Sequence, residues 1–178
     1  MHEEVGGHTD ATGGETHWLS KPELRAWLAF WGATHLVGGV IERDLQNRRG
    51  LSHGDYQILA MLSGAPDRRL RMSALAEVVF VSRSRLTYQV TQLERARLLR
   101  RENFPNDKRG LVAVLTEEGM ETLRETAPGH VAIIRKAFFD VLTPEQVVTL
   151  GDAFTAIMDG LPDDDQHRTF ADLWAMMG

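Results

Sequence analysis

The sequence predicts a mainly α-helical fold with one small β-element near its middle. Three observations lead there. Apolar residues recur at helical spacing in five stretches, around Leu24–Leu45, Tyr56–Leu62, Leu86–Leu93, Leu123–Phe138 and Leu150–Leu161. Helix-start signals precede most of them. Two short extended runs, Leu98–Glu102 and Leu111–Leu115, flank a polar connection that contains Pro105, Asn106 and Gly110.

Residues 1–17 are rich in Gly, Thr, His and Glu, carry no periodicity and read as a flexible arm. Ser20-Lys21-Pro22-Glu23 opens the first helix with a Ser cap and a Pro in the first turn. Its face runs through Leu24, Trp27, Leu28, Trp31, His35 and Leu36 to Val40, Ile41 and Leu45, and it should end near Gly50. Ser52, with Asp55 at the reciprocal third position, caps a second helix whose core residues are Tyr56, Ile58, Leu59 and Leu62. Leu70-Arg71-Met72 reads as a short strand. Ser73 is a candidate cap for a short helix with Leu75, Ala76 and Val79 on its apolar side. Phe80-Val81-Ser82 interrupts it, and Ser82 caps the next helix, where Leu86, Val90, Leu93 and Arg97 follow a 4, 3, 4 spacing. Two short helices with a tight turn and a shared apolar core make a helix-turn-helix.

At about 3.6 residues per turn, Ser84, Tyr88, Thr91 and Arg95 point away from the Leu86–Val90–Leu93 line, with Arg85 and Thr87 on the flanks. No acid lies on that face. Hydroxyls, a phenol and guanidinium groups are what base edges and phosphates accept. The strand, basic loop and strand that follow form a wing whose tip carries Lys108 and Arg109. From Leu98 onward the order of elements completes a winged helix-turn-helix.

Thr116-Glu117-Glu118-Gly119 starts a helix with the stripe Leu123, Ala127, Val131, Ile134 and Phe138, and Pro128-Gly129 predicts a kink or break in it. Thr143-Pro144-Glu145-Gln146 is a capping box with Pro at the first helical position. Leu150, Ala153, Phe154, Ile157 and Leu161 follow. Phe170, Leu173, Trp174 and Met177 suggest a terminal amphipathic helix.

The stretch LAEVVFVSRSRLTYQVTQLE, the wing NDKRG and the LTEEG after it resemble the MarR family of bacterial transcription regulators, over roughly Leu51 to Leu161. Phe80 stands where a turn glycine is common in that family, and Arg97 where a glycine often precedes the first wing strand. The resemblance implies a double-stranded DNA-binding regulator, with Ser82, Arg83, Ser84, Arg85, Thr87, Tyr88, Thr91 and Arg95 on the recognition helix and Asp107, Lys108 and Arg109 in the wing. It also implies that Asp107 orients Arg109 or pairs with Arg95 or Arg97.

Charge distribution agrees. The net charge is −5, yet residues 68–110 hold eleven Arg/Lys against four acids, so that segment carries +7 and the rest −12. A basic segment on an acidic body is the footprint of a duplex binder. Cysteine is absent, which excludes disulfides and fits a cytoplasmic protein. No run of about 18 apolar residues occurs, and no apolar signal core stands near the N-terminus.

The apolar stripes outside the winged helix exceed what it can cover, and a twofold pairing would bury them. The expected organisation is an arm at 1–17, a dimerisation helix at 18–50, the DNA-binding region at 51–115 and C-terminal dimerisation helices at 116–178. The expected function is a homodimeric repressor on a pseudo-palindromic operator. A small phenolic or aromatic acid is a possible releasing ligand, with Trp27, Trp31, His35, Tyr56 and Met61 as its wall; core or dimer packing is the simpler use of those rings. Catalysis is not expected, since no phosphate loop, cysteine or His/carboxylate pair at useful spacing is present. No cofactor or metal site is expected: His35 and His130 lack a sequence-near acid pair. A metal-responsive regulator and a protein-binding winged helix remain as alternatives.

Overall fold

The computed structural model describes residues 16–104 and 107–162, with side chains of 104–109 outside the described part. The described residues fall into two compact units, one up to Leu36 and one from Val37 onward. The helices are α1 (Lys21–Arg49), α2 (His53–Gly64), α3 (Met72–Val78), α4 (Arg83–Arg95), α5 (Glu117–Ala137) and α6 (Pro144–Asp159), and the strands are β1 (Arg69–Arg71), β2 (Leu99–Phe104) and β3 (Asp107–Leu115). Single 3-10 turns lie at Pro66–Arg68 and Phe139–Val141.

The caps read from the sequence set most boundaries. At α1, Glu23 N–H donates to Ser20 Oγ and Ser20 N–H donates to Glu23 Oε2. Ser52 and Asp55 close the capping box of α2, and Thr143 and Gln146 that of α6. Thr116 Oγ1 accepts from Gly119 N–H at the start of α5. Ser73 does not cap α3: the residue before the first turn is Arg71, with no side-chain cap bond.

In the first unit, Leu24, Trp27, Leu28, Trp31 and Leu36 are all largely exposed. The second unit holds the core. Ile41 and Leu45 of α1, Ile58, Leu59 and Leu62 of α2, Leu75 of α3, Leu86, Val90 and Leu93 of α4, and Leu99 and Ala113 of the sheet form one buried cluster. The sheet is antiparallel in the order β1-β3-β2. Leu99 pairs with Leu115 and Glu102 with Val112, and β3 reaches back to Asp107, opposite Phe104. The strands therefore extend into the stretch read as a connection.

Three further expectations change. Arg97 is not on α4; it lies beyond the helix end, exposed and at φ +62°. Helix α5 runs unbroken through Pro128. Proline removes one ladder bond, but Leu123, Thr126 and His130 bury one continuous face on both sides of it, so packing holds the helix. That face also displaces the expected one: Val131 is exposed, while Gly119 joins the buried side. A Cβ on Gly119 would lie 2.0 Å from the Leu98 carbonyl oxygen, so only glycine lets α5 start against the strand. Residues 1–15 of the arm expected at 1–17, and the tail helix expected around Phe170–Met177, lie outside the described residues.

Candidate nucleic-acid interface

Helix α4 is fixed in place from both ends. Ser82 Oγ accepts from Arg85 N–H at 3.3 Å and sits 3.1 Å from Ser84 Oγ. Leu86, Gln89, Val90 and Leu93 bury the inner face. At the C-terminal end, Glu94 accepts from the backbone N–H and the guanidinium of Arg101 in β2, which ties the helix to the wing. These hydrogen bonds, side chain first and backbone second, hold the Glu94 carboxyl below the usual carboxylate range.

The outer face is as the spacing predicts. Ser82, Arg83, Ser84, Arg85, Thr87, Tyr88 and Arg95 are exposed and Thr91 is half-buried. Tyr88 leaves 66% of its surface open. The threonine hydroxyls are already engaged: Thr87 Oγ1 donates to the Arg83 carbonyl at 2.7 Å and Thr91 Oγ1 to the Thr87 carbonyl at 2.8 Å. With those protons committed, both hydroxyls keep only acceptor lone pairs for a partner.

Two sets of arginines stand apart. Arg68 pairs with Glu117, Arg69 and Arg100 with Glu102, and Arg101 with Glu94, all within 3.2 Å. Those pairs tie the turn before β1 to α5, β1 to β2, and β2 to α4, and one lies within β2. Among the described residues, the side chains of Arg83, Arg85, Arg95 and Arg97 have no hydrogen-bond or ion-pair partner. The side chains of Asp107, Lys108 and Arg109 lie outside the described part, as do their expected contacts.

Two turn geometries explain departures noted in the sequence. Val81 N–H donates to the Ala76 carbonyl and Phe80 N–H to the Glu77 carbonyl; Leu98 N–H donates to Leu93 and Arg97 N–H to Glu94. Each pair is a Schellman motif, whose penultimate residue takes a left-handed conformation usually given to glycine. Phe80 at φ +55° and Arg97 at φ +62° occupy those positions. Both turns form without glycine, and both side chains stand exposed beside α4.

A MarR family sequence model matches residues 49–110. The chain is 33% identical over 134 residues to the HTH-type transcriptional repressor YetL of Bacillus subtilis, spanning 74% of this chain and 80% of that protein. The chain belongs to the MarR family. A MarR family transcriptional regulator from Streptomyces coelicolor, solved in complex with DNA, superposes with a TM-score of 0.79 at 44% identity, over 84% of this chain and 94% of that one. AbsC, a MarR family transcriptional regulator from Streptomyces coelicolor, gives 0.75 at 45% identity over 81% and 97%. This MarR chain is thus a winged-helix, DNA-binding transcriptional regulator, a non-enzymatic class. Among the described residues no helix is long and apolar enough to cross a membrane.

The five ring and thioether residues considered for a ligand divide between the units. In the first, the Trp31 and His35 rings lie 4.7 Å apart, His35 Nδ1 is 2.8 Å from the Trp31 carbonyl oxygen, and Trp27 packs on Phe30 at 5.9 Å. In the second, Tyr56 is buried with its ring 4.0 Å from that of His130, and Met61 packs against the core. Sequence reasoning missed two members of the MarR framework. Gln89 is buried over Gly54, where a Cβ would come within 2.4 Å of its amide nitrogen. The Glu94–Arg101 clamp was also missed, although an acid ending the helix and a base opening the strand were its visible signal.

Proposed function

We propose that this MarR chain is a homodimeric repressor that lays α4 in the major groove of a pseudo-palindromic operator, with the wing beside it. The acid-free outer face of α4, with Arg83, Arg85 and the neighbouring Arg95 and Arg97 unpaired among the described residues, carries this reading. Arg85 is the candidate for a bidentate guanine contact. Arg109 is the candidate for the minor groove, Lys108 for phosphate and Asp107 for orienting Arg109. A cytoplasmic site of action goes with a DNA-bound regulator.

Residues 51–115 would bind DNA, with 18–50 and 116–178 joining two copies. Support for pairing is the exposure of Val131, Val141, Val148, Ile157 and Leu161 in the second unit and of the α1 stripe in the first. Patches of this kind mark interfaces. Repression is read across from the YetL name. A phenolic or aromatic acid is the proposed releasing ligand, with Trp27, Trp31 and His35 as its candidate contacts. Such a ligand releases DNA only by favouring one dimer geometry.

Selection of binding sites with purified protein tests the reading. It should recover two inverted half-sites about one helical turn apart. Recovery of an asymmetric site, or of no motif, contradicts it. For the ligand, calorimetry with phenolic acids should show binding that the Trp31→Ala, His35→Ala double variant loses; binding that survives both changes places the contact elsewhere.

A further inference from the structure

A hollow of about 280 Å³ lies where the start of α3, the first turns of α4 and the base of the wing meet. Arg71, Ser73, Arg83, Thr87, Gly110 and Leu111 are on its walls. Three of these have no explanation in the fold. Ser73 lies in the first turn of α3 and caps nothing, is exposed, and its hydroxyl has no hydrogen-bond partner among the described residues. The Arg83 side chain is exposed and likewise unpartnered. Leu111 leaves 43% of its surface open at the sheet edge of the hollow, although its neighbours Val112 to Leu115 are all buried.

We infer that this hollow seats one sugar-phosphate unit of the DNA backbone, with the phosphate on Arg83 and Ser73 and the deoxyribose against Leu111. The inference rests on the DNA-binding reading above and adds Ser73 and Leu111 to the contacts read from the sequence. Its chemistry is that of a nucleotide backbone. A guanidinium and a hydroxyl are common phosphate donors. A deoxyribose has apolar faces that a leucine covers. Thr87 cannot serve as a further donor while its hydroxyl is bonded to the Arg83 carbonyl, which leaves Ser73 as the hydroxyl that faces an anion. The seat lies between the recognition helix and the wing, so a phosphate held there fixes how far α4 turns within the groove. It carries no sequence information of its own.

The test uses the full chain and a mixed-sequence duplex, because a backbone contact acts on any sequence. Affinity is measured across a salt series for wild type, Arg83→Ala, Ser73→Ala and Leu111→Ala, with thermal melts to show that each variant is folded. Arg83→Ala should reduce the slope of log affinity against log salt by about 0.9, the value of one phosphate. Ser73→Ala should weaken binding about tenfold, as expected for a lost bond to a charged group, at an unchanged slope. Leu111→Ala should weaken it severalfold, also at an unchanged slope. Ser73→Ala and Leu111→Ala variants that bind like wild type overturn the seat, whatever Arg83→Ala does. A wild-type chain with no salt-dependent duplex binding overturns the DNA reading itself, which separates the two failures.

Discussion

At the scale of single residues, the decisive positions are those where backbone and side chain disagree. Phe80 holds a left-handed conformation that costs a residue with a Cβ about 1 kcal/mol. Phe80→Gly should therefore raise stability by about 1 kcal/mol and the melting point by a few degrees; an unchanged or lower midpoint in a thermal melt would show that the exposed ring holds the turn by some contact of its own. Gly119 is the opposite case. Its missing Cβ is where the Leu98 carbonyl stands, so Gly119→Ala should destabilise by about 1–3 kcal/mol, the usual cost of overpacking, read from denaturant titration. Sequence alone marked Phe80 as a departure from the family pattern. It could not show that the departure leaves the turn intact, because the Schellman bonds are made by backbone groups that Phe and Gly share. Ser73 was misread for a related reason: a serine near a helix start is a cap only if the helix begins after it, and α3 begins at Met72.

At the scale of elements, what was legible was whatever repeats. Caps at Ser20, Ser52, Ser82, Thr116 and Thr143, and the buried lines Tyr56–Leu62 and Leu86–Leu93, were all readable from spacing. The face of α5 was not. Thr126 and His130 look polar, yet they are buried where α5 meets the core, while Val131 is exposed. His130 sits beside Tyr56 and 5.9 Å from the His53 ring, and its Nδ1, like Asp44 Oδ2, has no hydrogen-bond partner among the described residues. Burial lowers the affinity of both imidazoles for a proton, and for His130 the neighbouring His53 adds to this; Glu42 and Asp44 oppose it in part. Above about pH 6.5 both folded and unfolded chains hold neutral imidazoles. Below it the unfolded chain takes up protons that the folded chain resists, so stability should fall as pH drops from about 6.5. His130→Gln should flatten that part of the profile in melts from pH 7.5 to 5.5. An equal slope in the variant would assign the loss to other groups. Glu94 acts in a separate and more acidic window, because its lowered carboxyl gives stability that is lost only as pH falls below the ordinary carboxylate value. Glu94→Gln should loosen the wing from α4, seen as faster hydrogen exchange in β2, and protection equal to wild type would show that strand pairing alone holds it.

At the scale of the whole molecule, a chain of net charge −5 binds DNA because its charge is sorted. Glu117, Glu102 and Glu94 engage Arg68, Arg69, Arg100 and Arg101 in ion pairs within the fold, while Arg83, Arg85, Arg95 and Arg97, on and beside α4, have no such partner among the described residues. Counting charges along the sequence located the basic segment but not this division, since the partners Glu94, Glu102 and Glu117 meet their arginines only through the sheet. The proposed dimer follows from the surfaces left open at Val131, Val148, Ile157 and Leu161, and light scattering at micromolar concentration should report twice the chain mass; a monomer there would remove the basis for paired half-sites. The most direct test of the central claim, that the outer face of α4 reads sequence, is the affinity of Arg85→Ala for the selected operator and for random duplex, measured side by side at one salt concentration. The operator affinity should fall by about 1–3 kcal/mol, the value of one bidentate guanine contact, with a much smaller change on random duplex. An equal loss on both would make Arg85 a phosphate contact and contradict the claim.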